Sequence, residues 1–126
     1  MSDKIQTYRD LIVWQKSKEL VIASYLVSKS MPADEKYALV SQIKRAATSI
    51  PANIAEGFGR SSSKDREHFY TIARGSVYEL DTHIQIAKDL GFINDKEFTE
   101  ILQQIEDVIK LLSAFIRAHR DRSSNL

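Results

Sequence analysis

From Phe98 to Ile116 the chain repeats apolar residues every three or four positions: Phe98, Ile101/Leu102, Ile105, Val108/Ile109, Leu112 and Phe115/Ile116. That period winds one wide apolar stripe along an α-helix and leaves polar residues opposite it. No stretch of the chain shows the strict alternation of a half-buried strand, so the reading is all-α. Pro32, Gly57, Gly59 and Gly91 divide the 126 residues into four stretches, each long enough for one helix. The predicted helices cover about 9–30, 35–56, 63–90 and 95–118, within a single domain spanning 1–126. Short links near 31–34, 57–62 and 91–94 force neighbours antiparallel, which gives an up-down-up-down four-helix bundle.

Local signals place the helix ends. Asn94, with Glu97 three residues on, suits the start of the fourth helix, and Arg117, His119, Arg120 and Arg122 suit its negative end. Ser61, Ser62 and Ser63 are N-cap candidates for the third helix, Gly91 suits a C′ position, and Phe92 can fold back over the last turn. Gly75 inside that helix costs about 1 kcal/mol against Ala, which predicts a neighbouring helix crossing closely. Pro51 predicts a kink, not a break, in the second helix, and Gly57 its stop. Thr7 and Asp10 cap the first helix. Its apolar residues, from Leu11 to Val27, point nearly all round, which predicts burial on more than one face and a subunit interface.

The chain has no cysteine, which removes disulfides, Cys-ligated zinc, iron–sulfur clusters and a thiol nucleophile together. Its longest apolar run, Leu11-Ile12-Val13-Trp14, is far short of the roughly 20 residues a membrane span needs. The mixed, polar opening Met1–Gln6 is not a signal peptide, so a cytoplasmic protein is expected. Net charge is +1, unevenly spread. Residues 36–74 hold seven basic and three acidic side chains, 75–109 two basic and eight acidic, and 110–126 four basic and one acidic. Antiparallel helices can pair these faces with each other, or the asymmetry can steer a partner.

Sites for chemistry are scarce. A di-iron bundle wants two Glu-x-x-His pairs, and three histidines offer only Asp65-x-x-His68 and Glu79 with His83 at i, i+4. His83 falls on the apolar stripe of the third helix, as a ligand or, more simply, a hydrogen-bonded histidine at the core edge. Gly57-Phe58-Gly59 continues into Arg60-Ser61 and not a phosphate loop, and no Gly-x-Ser-x-Gly elbow occurs. No metal, cofactor or enzymatic activity is expected. Ser49, Asn53 and Glu56 share a helix face beside Pro51, with Arg45 one turn earlier and Ser76 and Glu79 opposite. They form either a ligand contact or a structural network compensating the bond lost at Pro51. Lys44, Arg45, Arg60, Lys64, Arg66 and Arg74, with Phe58 and His68, bracket the second link. Basic residues mixed with aromatics suit phosphate contact and base stacking, and equally suit a solvated surface.

Three ordered blocks carry a family resemblance: Asp10-Leu11-Ile12-Val13-Trp14-Gln15-Lys16; Ser41-Gln42-Ile43-Lys44-Arg45-Ala46 with Ser49-Ile50-Pro51-Ala52-Asn53-Ile54-Ala55-Glu56-Gly57; and Ala73-Arg74-Gly75-Ser76-Val77-Tyr78-Glu79-Leu80. A Leu90-Gly91-Phe92-Ile93 turn follows. Over roughly residues 8–117 the chain resembles the bacterial 23S rRNA intervening-sequence proteins. The resemblance implies a four-helix bundle assembled as a ring-like homopentamer, related to the accessory variability proteins of diversity-generating retroelements, which bind nucleic acid. The expected function is non-enzymatic binding of RNA or an RNA-bound partner, through Lys44, Arg45, Arg60, Lys64, Arg66 and Arg74. The alternative is a structural oligomer that binds a protein partner through the first helix and the acidic 75–109 face, without nucleic acid. A net charge of only +1 confines nucleic-acid binding to a local rim, which five copies would multiply.

Overall fold

The computed structural model describes residues 4–124. Thr7 Oγ1 accepts from the Arg9 amide (3.1 Å), and Asp10 Oδ2 accepts from the Gln6 and Thr7 amides (2.9 and 3.0 Å). Those two amide bonds hold the Asp10 carboxyl below its ordinary pKa. The capping box closes a 3-10 turn, Tyr8–Asp10, and not the first α-helix as the spacing suggested. Leu11 is extended (φ −76°, ψ 126°), so α1 starts at Ile12 and runs to Ser28. A second 3-10 turn, Ala33–Glu35, likewise delays α2, which spans Leu39–Phe58 and passes unbroken through Pro51. α3 covers Ser63–Asp89 and α4 Asp95–Ser124. Among the described residues the regular structure is helical, with no strand.

The later helix ends follow the local signals. The Gly91 amide bonds the Lys88 carbonyl (3.0 Å) and the Phe92 amide bonds the Ala87 carbonyl (2.9 Å), with Gly91 at φ 77°. This is a Schellman closure, which needs a residue without a Cβ at that position. Asn94 Oδ1 then accepts from the Glu97 amide (2.8 Å) and Glu97 Oε1 accepts from the Asn94 amide (2.9 Å), starting α4 with a reciprocal box. α4 continues past 118 because its last turns pack on the start of α3. His119 Nε2 donates to the Ser63 carbonyl (3.0 Å), and the Ser63 and Ser123 hydroxyls bond each other.

Each helix packs backbone to backbone against two others, α1 on α2 and α4, α3 on α2 and α4, which leaves α1 and α3, and α2 and α4, diagonal across the core. Along the α2–α3 seam Arg45 meets Glu79 and Ser49 meets Ser76, while Gly57 lies against Tyr70. Along α3–α4, Glu67 meets Arg120 (3.0 Å) and Tyr70 stands edge-on to Phe115 (4.8 Å between centroids). The core between the helices is one continuous cluster, with Leu20, Ile43, Ile50, Ile54, Leu80, Ile84, Ile105, Leu112 and Ile116 fully enclosed. Each such side chain contributes about 1.5–3 kcal/mol of burial.

Two glycines depart from the roles their positions suggested. Gly57 lies inside α2, which Gly59 ends, its amide bonding the Ala55 carbonyl (3.1 Å). A Cβ on Gly57 would lie 2.7 Å from Tyr70 Cε1 and 3.0 Å from the Phe69 Cβ, so this is where α2 and α3 approach too closely for a side chain. Gly75 is exposed, and a Cβ there would meet nothing within 4 Å. No helix of this chain crosses it.

Candidate nucleic-acid interface

The link from Gly59 to Ser62 turns α2 into α3 and concentrates charge. Ser62 Oγ caps α3 by accepting from the Asp65 amide (3.1 Å). Arg60 lies over the Phe69 ring (4.6 Å) and pairs with Glu56 one turn back (2.9 Å). Arg66 Nε donates to the Arg60 carbonyl (2.6 Å), with its guanidinium 5.9 Å from the centre of Phe58. Lys64 is exposed and has no ion-pair partner among the described residues. The end of α4 arrives at the same place, where Arg120 pairs with Glu67 (3.0 Å) and Arg122 occupies the last turn. The charges of Arg66 and Arg122 both act on the Tyr70 hydroxyl, whose pKa burial nonetheless raises. Sequence reasoning assigned Arg117, Arg120 and Arg122 to the helix dipole alone. The basic excess of residues 110–126 was the available signal, and α4 returning onto α3 is what brings it beside Arg60, Lys64 and Arg66.

The other three candidates lie elsewhere. Arg74 is half-buried near the middle of α3, with Nη1 3.5 Å from Ser113 Oγ on α4. Lys44 sits over the Tyr25 ring of α1 (4.7 Å). Arg45 is held by Gln42 Oε1 (2.7 Å from Nη2) and by Glu79. With a rise of 1.5 Å per residue, Arg45 and Arg60 are roughly 22 Å apart along α2. The six basic residues thus form one cluster of three at the link and three separate cations bound into seams.

The polar residues beside Pro51 divide as well. Ser49 Oγ bonds Ser76 Oγ across the seam, and Ser76 Oγ also donates to the Ile72 carbonyl (3.2 Å). Asn53 Nδ2 donates to the Ser49 carbonyl (2.8 Å). None of these bonds reaches the carbonyl of Ala47, the one that Pro51 leaves without its amide, so the network ties α2 to α3 and does not repair the helix. Glu56 stands outside it, paired with Arg60. Glu79 forms a second cluster with Arg45 and with His83 Nε2 (3.2 Å). Burial works to raise the Glu79 carboxyl, but the hydrogen bonds and charges of Arg45 and His83 outweigh it and hold the group below its ordinary value. His83 is thereby a half-buried histidine with a carboxylate partner at the core edge.

The family model for 23S rRNA-intervening sequence proteins matches residues 9–114. The chain belongs to this family. A solved structure of a protein of unknown function from the S23 ribosomal protein family of Bacteroides thetaiotaomicron is similar, with 25% identity and a TM-score of 0.77. The likeness covers 83% of this chain and 98% of that one. No curated protein matches the chain. Within this intervening-sequence protein, two of the blocks behind the resemblance face each other: Ser41–Ala46 and Ser49–Gly57 on α2 supply Arg45, Ser49 and Gly57, and Ala73–Leu80 on α3 supplies Ser76 and Glu79. These blocks build the α2–α3 seam. The cationic cluster lies beyond them, at the link and the end of α4.

Proposed function

We propose that this intervening-sequence protein is a non-enzymatic, cytoplasmic, up-down-up-down bundle that assembles with copies of itself and binds RNA at one end. The observation that carries the reading is a separation of charge along the bundle. Where α2 ends, α3 begins and α4 ends, the six cations Arg60, Lys64, Arg66, Arg117, Arg120 and Arg122 outnumber the four carboxylates Glu56, Asp65, Glu67 and Asp121, whereas the acidic stretch 75–109 occupies the second half of α3 and the first half of α4. An anionic polymer is drawn to one end and repelled by the other. Arg60, Lys64 and Arg66 are the phosphate contacts at that end, joined by Arg120 and Arg122, with Phe58 and Phe69 beneath two of the guanidinium groups. Lys44, Arg45 and Arg74 are more distant, so they contribute to the field and not to a shared footprint.

Self-association rests on the outward faces of α1 and α3. Ile22 and Leu26 on α1 are 54% and 59% exposed, and α3 exposes Ile72, Tyr78 and Ile86. The two helices are diagonal in the bundle, so one protomer carries two different apolar faces directed apart. Two unlike patches make a head-to-tail contact, the kind that closes into a ring, and a homopentamer is such a ring. The outward apolar face also suits a protein partner, the alternative that a failure of RNA binding would favour.

Anisotropy of a labelled structured RNA tests the reading. A protomer that uses these five phosphate contacts loses roughly five-hundredfold in affinity between about 50 and 200 mM salt. Arg60→Glu with Lys64→Glu should weaken binding further at the lower salt. Absence of binding there removes the RNA reading, and unchanged affinity in the double variant removes those two residues from it.

A further inference from the structure

The start of α3 and the last turns of α4 enclose a cleft of about 450 Å³, lined by Ser61, Ser63, Arg66, His119, Arg122 and Ser123. Two of the six lining residues are arginines and none is a carboxylate. The nearby Glu67 is engaged by Arg120 (3.0 Å), and Asp65 and Asp121 are exposed outside the lining. Arg66 is anchored through Nε to the Arg60 carbonyl (2.6 Å), which fixes the plane of the guanidinium and leaves its two terminal nitrogens for another partner. Arg122 has no ion-pair partner among the described residues. Like charges held in one concavity repel unless an anion lies between them.

The floor of the cleft is rigid. His119 is 8% exposed, donates through Nε2 to the Ser63 carbonyl (3.0 Å) and stands edge-on to Tyr70 (5.5 Å between centroids). Ser123 Oγ donates to the His119 carbonyl (3.0 Å) and bonds the Ser63 hydroxyl, so three lining side chains are locked to each other across the two helices. Ser63, which lines the cleft, is the first residue of α3, whose start is capped by the Ser62 hydroxyl on the Asp65 amide. The positive end of the α3 dipole adds to the two guanidinium groups in favouring an oxyanion. The opposing negative end of α4 is where Arg122 sits.

We infer that this cleft seats a single phosphate group, gripped by the guanidinium forks of Arg66 and Arg122 above the Ser63–His119–Ser123 floor. Planar forks match the tetrahedral oxygens of phosphate in pairs, which a lysine does not. The volume exceeds that of a bare phosphate, so the group can arrive free or attached to a nucleotide or an RNA end. This goes beyond the RNA reading, because a seat for one phosphate does not depend on an extended polymer contact.

Amide and imidazole NMR of the full chain titrated with inorganic phosphate, against sodium chloride at matched ionic strength, tests it. Expected are saturable shifts at the Ser63 and Lys64 amides and the His119 ring, absent with chloride and at least tenfold weaker in Arg66→Gln/Arg122→Gln. Shifts that chloride reproduces, or an affinity the double variant leaves unchanged, overturn the seat. Should the double variant lose its native spectrum, Arg122→Gln alone, on an exposed last turn, must weaken binding at least threefold for the seat to stand. A second titration uses a short RNA with and without a 5′-phosphate. Competition of either RNA with phosphate shows the source to be nucleic acid, and competition of neither leaves free phosphate as the ligand. Phosphate binding without any RNA binding keeps the seat and defeats the RNA reading, whereas RNA binding without phosphate binding defeats the seat alone.

Discussion

α4 turns Ile101, Ile105, Val108, Leu112 and Ile116 into the bundle, none more than 2% exposed, and presents Glu100, Glu106, Asp107 and Lys110 to water. α1, packed beside it, buries Ser17, Ser24 and Ser28 along with Val13, Leu20 and Val27, and leaves Ile12, Ile22, Tyr25 and Leu26 outside. The serines are satisfied within their own helix: their hydroxyls donate to the carbonyls of Val13, Leu20 and Ser24 at 2.6, 2.8 and 2.8 Å. Among the described residues no buried side-chain nitrogen or oxygen lacks a partner. α1 therefore gives up apolar burial without leaving polar groups stranded, and clefts of about 300 and 410 Å³ open along its seam with α4. From Ile101 to Ile116 α4 turns its apolar stripe wholly to the protomer's core; α1 is divided between that core and a surface facing outward.

The comparison breaks most visibly in the core. Leu112→Ala removes a fully enclosed side chain from α4 and should cost about 3 kcal/mol, lowering the melting temperature by about 10 °C. Ser24→Ala, at an equally enclosed position of α1, should change stability by no more than about 0.5 kcal/mol. The carbonyl it releases keeps its helical amide, and Ala is the better helix former. Thermal unfolding of the two variants side by side decides the matter: equal losses would mean that the inward serines of α1 hold the bundle as tightly as the leucines of α4.

The same contrast explains what the sequence revealed. The α4 stripe, its Asn94–Glu97 box and the Gly91 closure were legible because each depends on spacing within one helix. The division of α1 was only half legible. Its apolar residues point all round, but which face lies inside is decided by α2 and α4, and three small hydroxyls bonded to their own backbone occupy that face at little cost. The glycines show the limit most sharply, since Gly57 and Gly75 differ only in what another helix places beside the missing Cβ. The basic link was legible in the sequence, whereas the approach of Arg120 and Arg122 to it required α4 to return onto α3. Thr7 and Asp10 announced a cap, and the extended Leu11 determined that it closes a turn and not α1.

The outward face of α1 gives a sharper test with less effect on the fold. Ile22→Lys with Leu26→Lys changes two side chains that are already more than half exposed, so the unfolding of the protomer should move by less than about 0.5 kcal/mol. Association should be lost. Sedimentation at matched concentration is expected to give a multiple of 14.4 kDa for the unaltered chain and 14.4 kDa for the double variant. A monomeric unaltered chain would leave α1 with an apolar face for a different protein.

The smallest effect concerns how the seams are tied. The turn after α1 is tied to α4 by Ser30 Oγ donating to Glu97 Oε2 (2.9 Å), a bond from a neutral hydroxyl. Between α2 and α3, beside the Ser49–Ser76 bond, there is a charged tie, the Arg45–Glu79–His83 cluster, in which the carboxylate is over a third exposed and therefore screened. Partners that favour its charged form hold the Glu79 pKa below the ordinary 4.5, so their contribution is present above that value and disappears as pH falls through the lowered one. An exposed pair of this kind is worth about 0.5 kcal/mol. Glu79→Gln should thus be less stable than the unaltered chain by about that amount near neutrality, and the gap should close on the acid side of 4.5. Melting curves taken across that range measure the gap directly. A gap that persisted in acid would assign Glu79 a packing role independent of its charge, alongside the close approach at Gly57 and the Ser49–Ser76 bond.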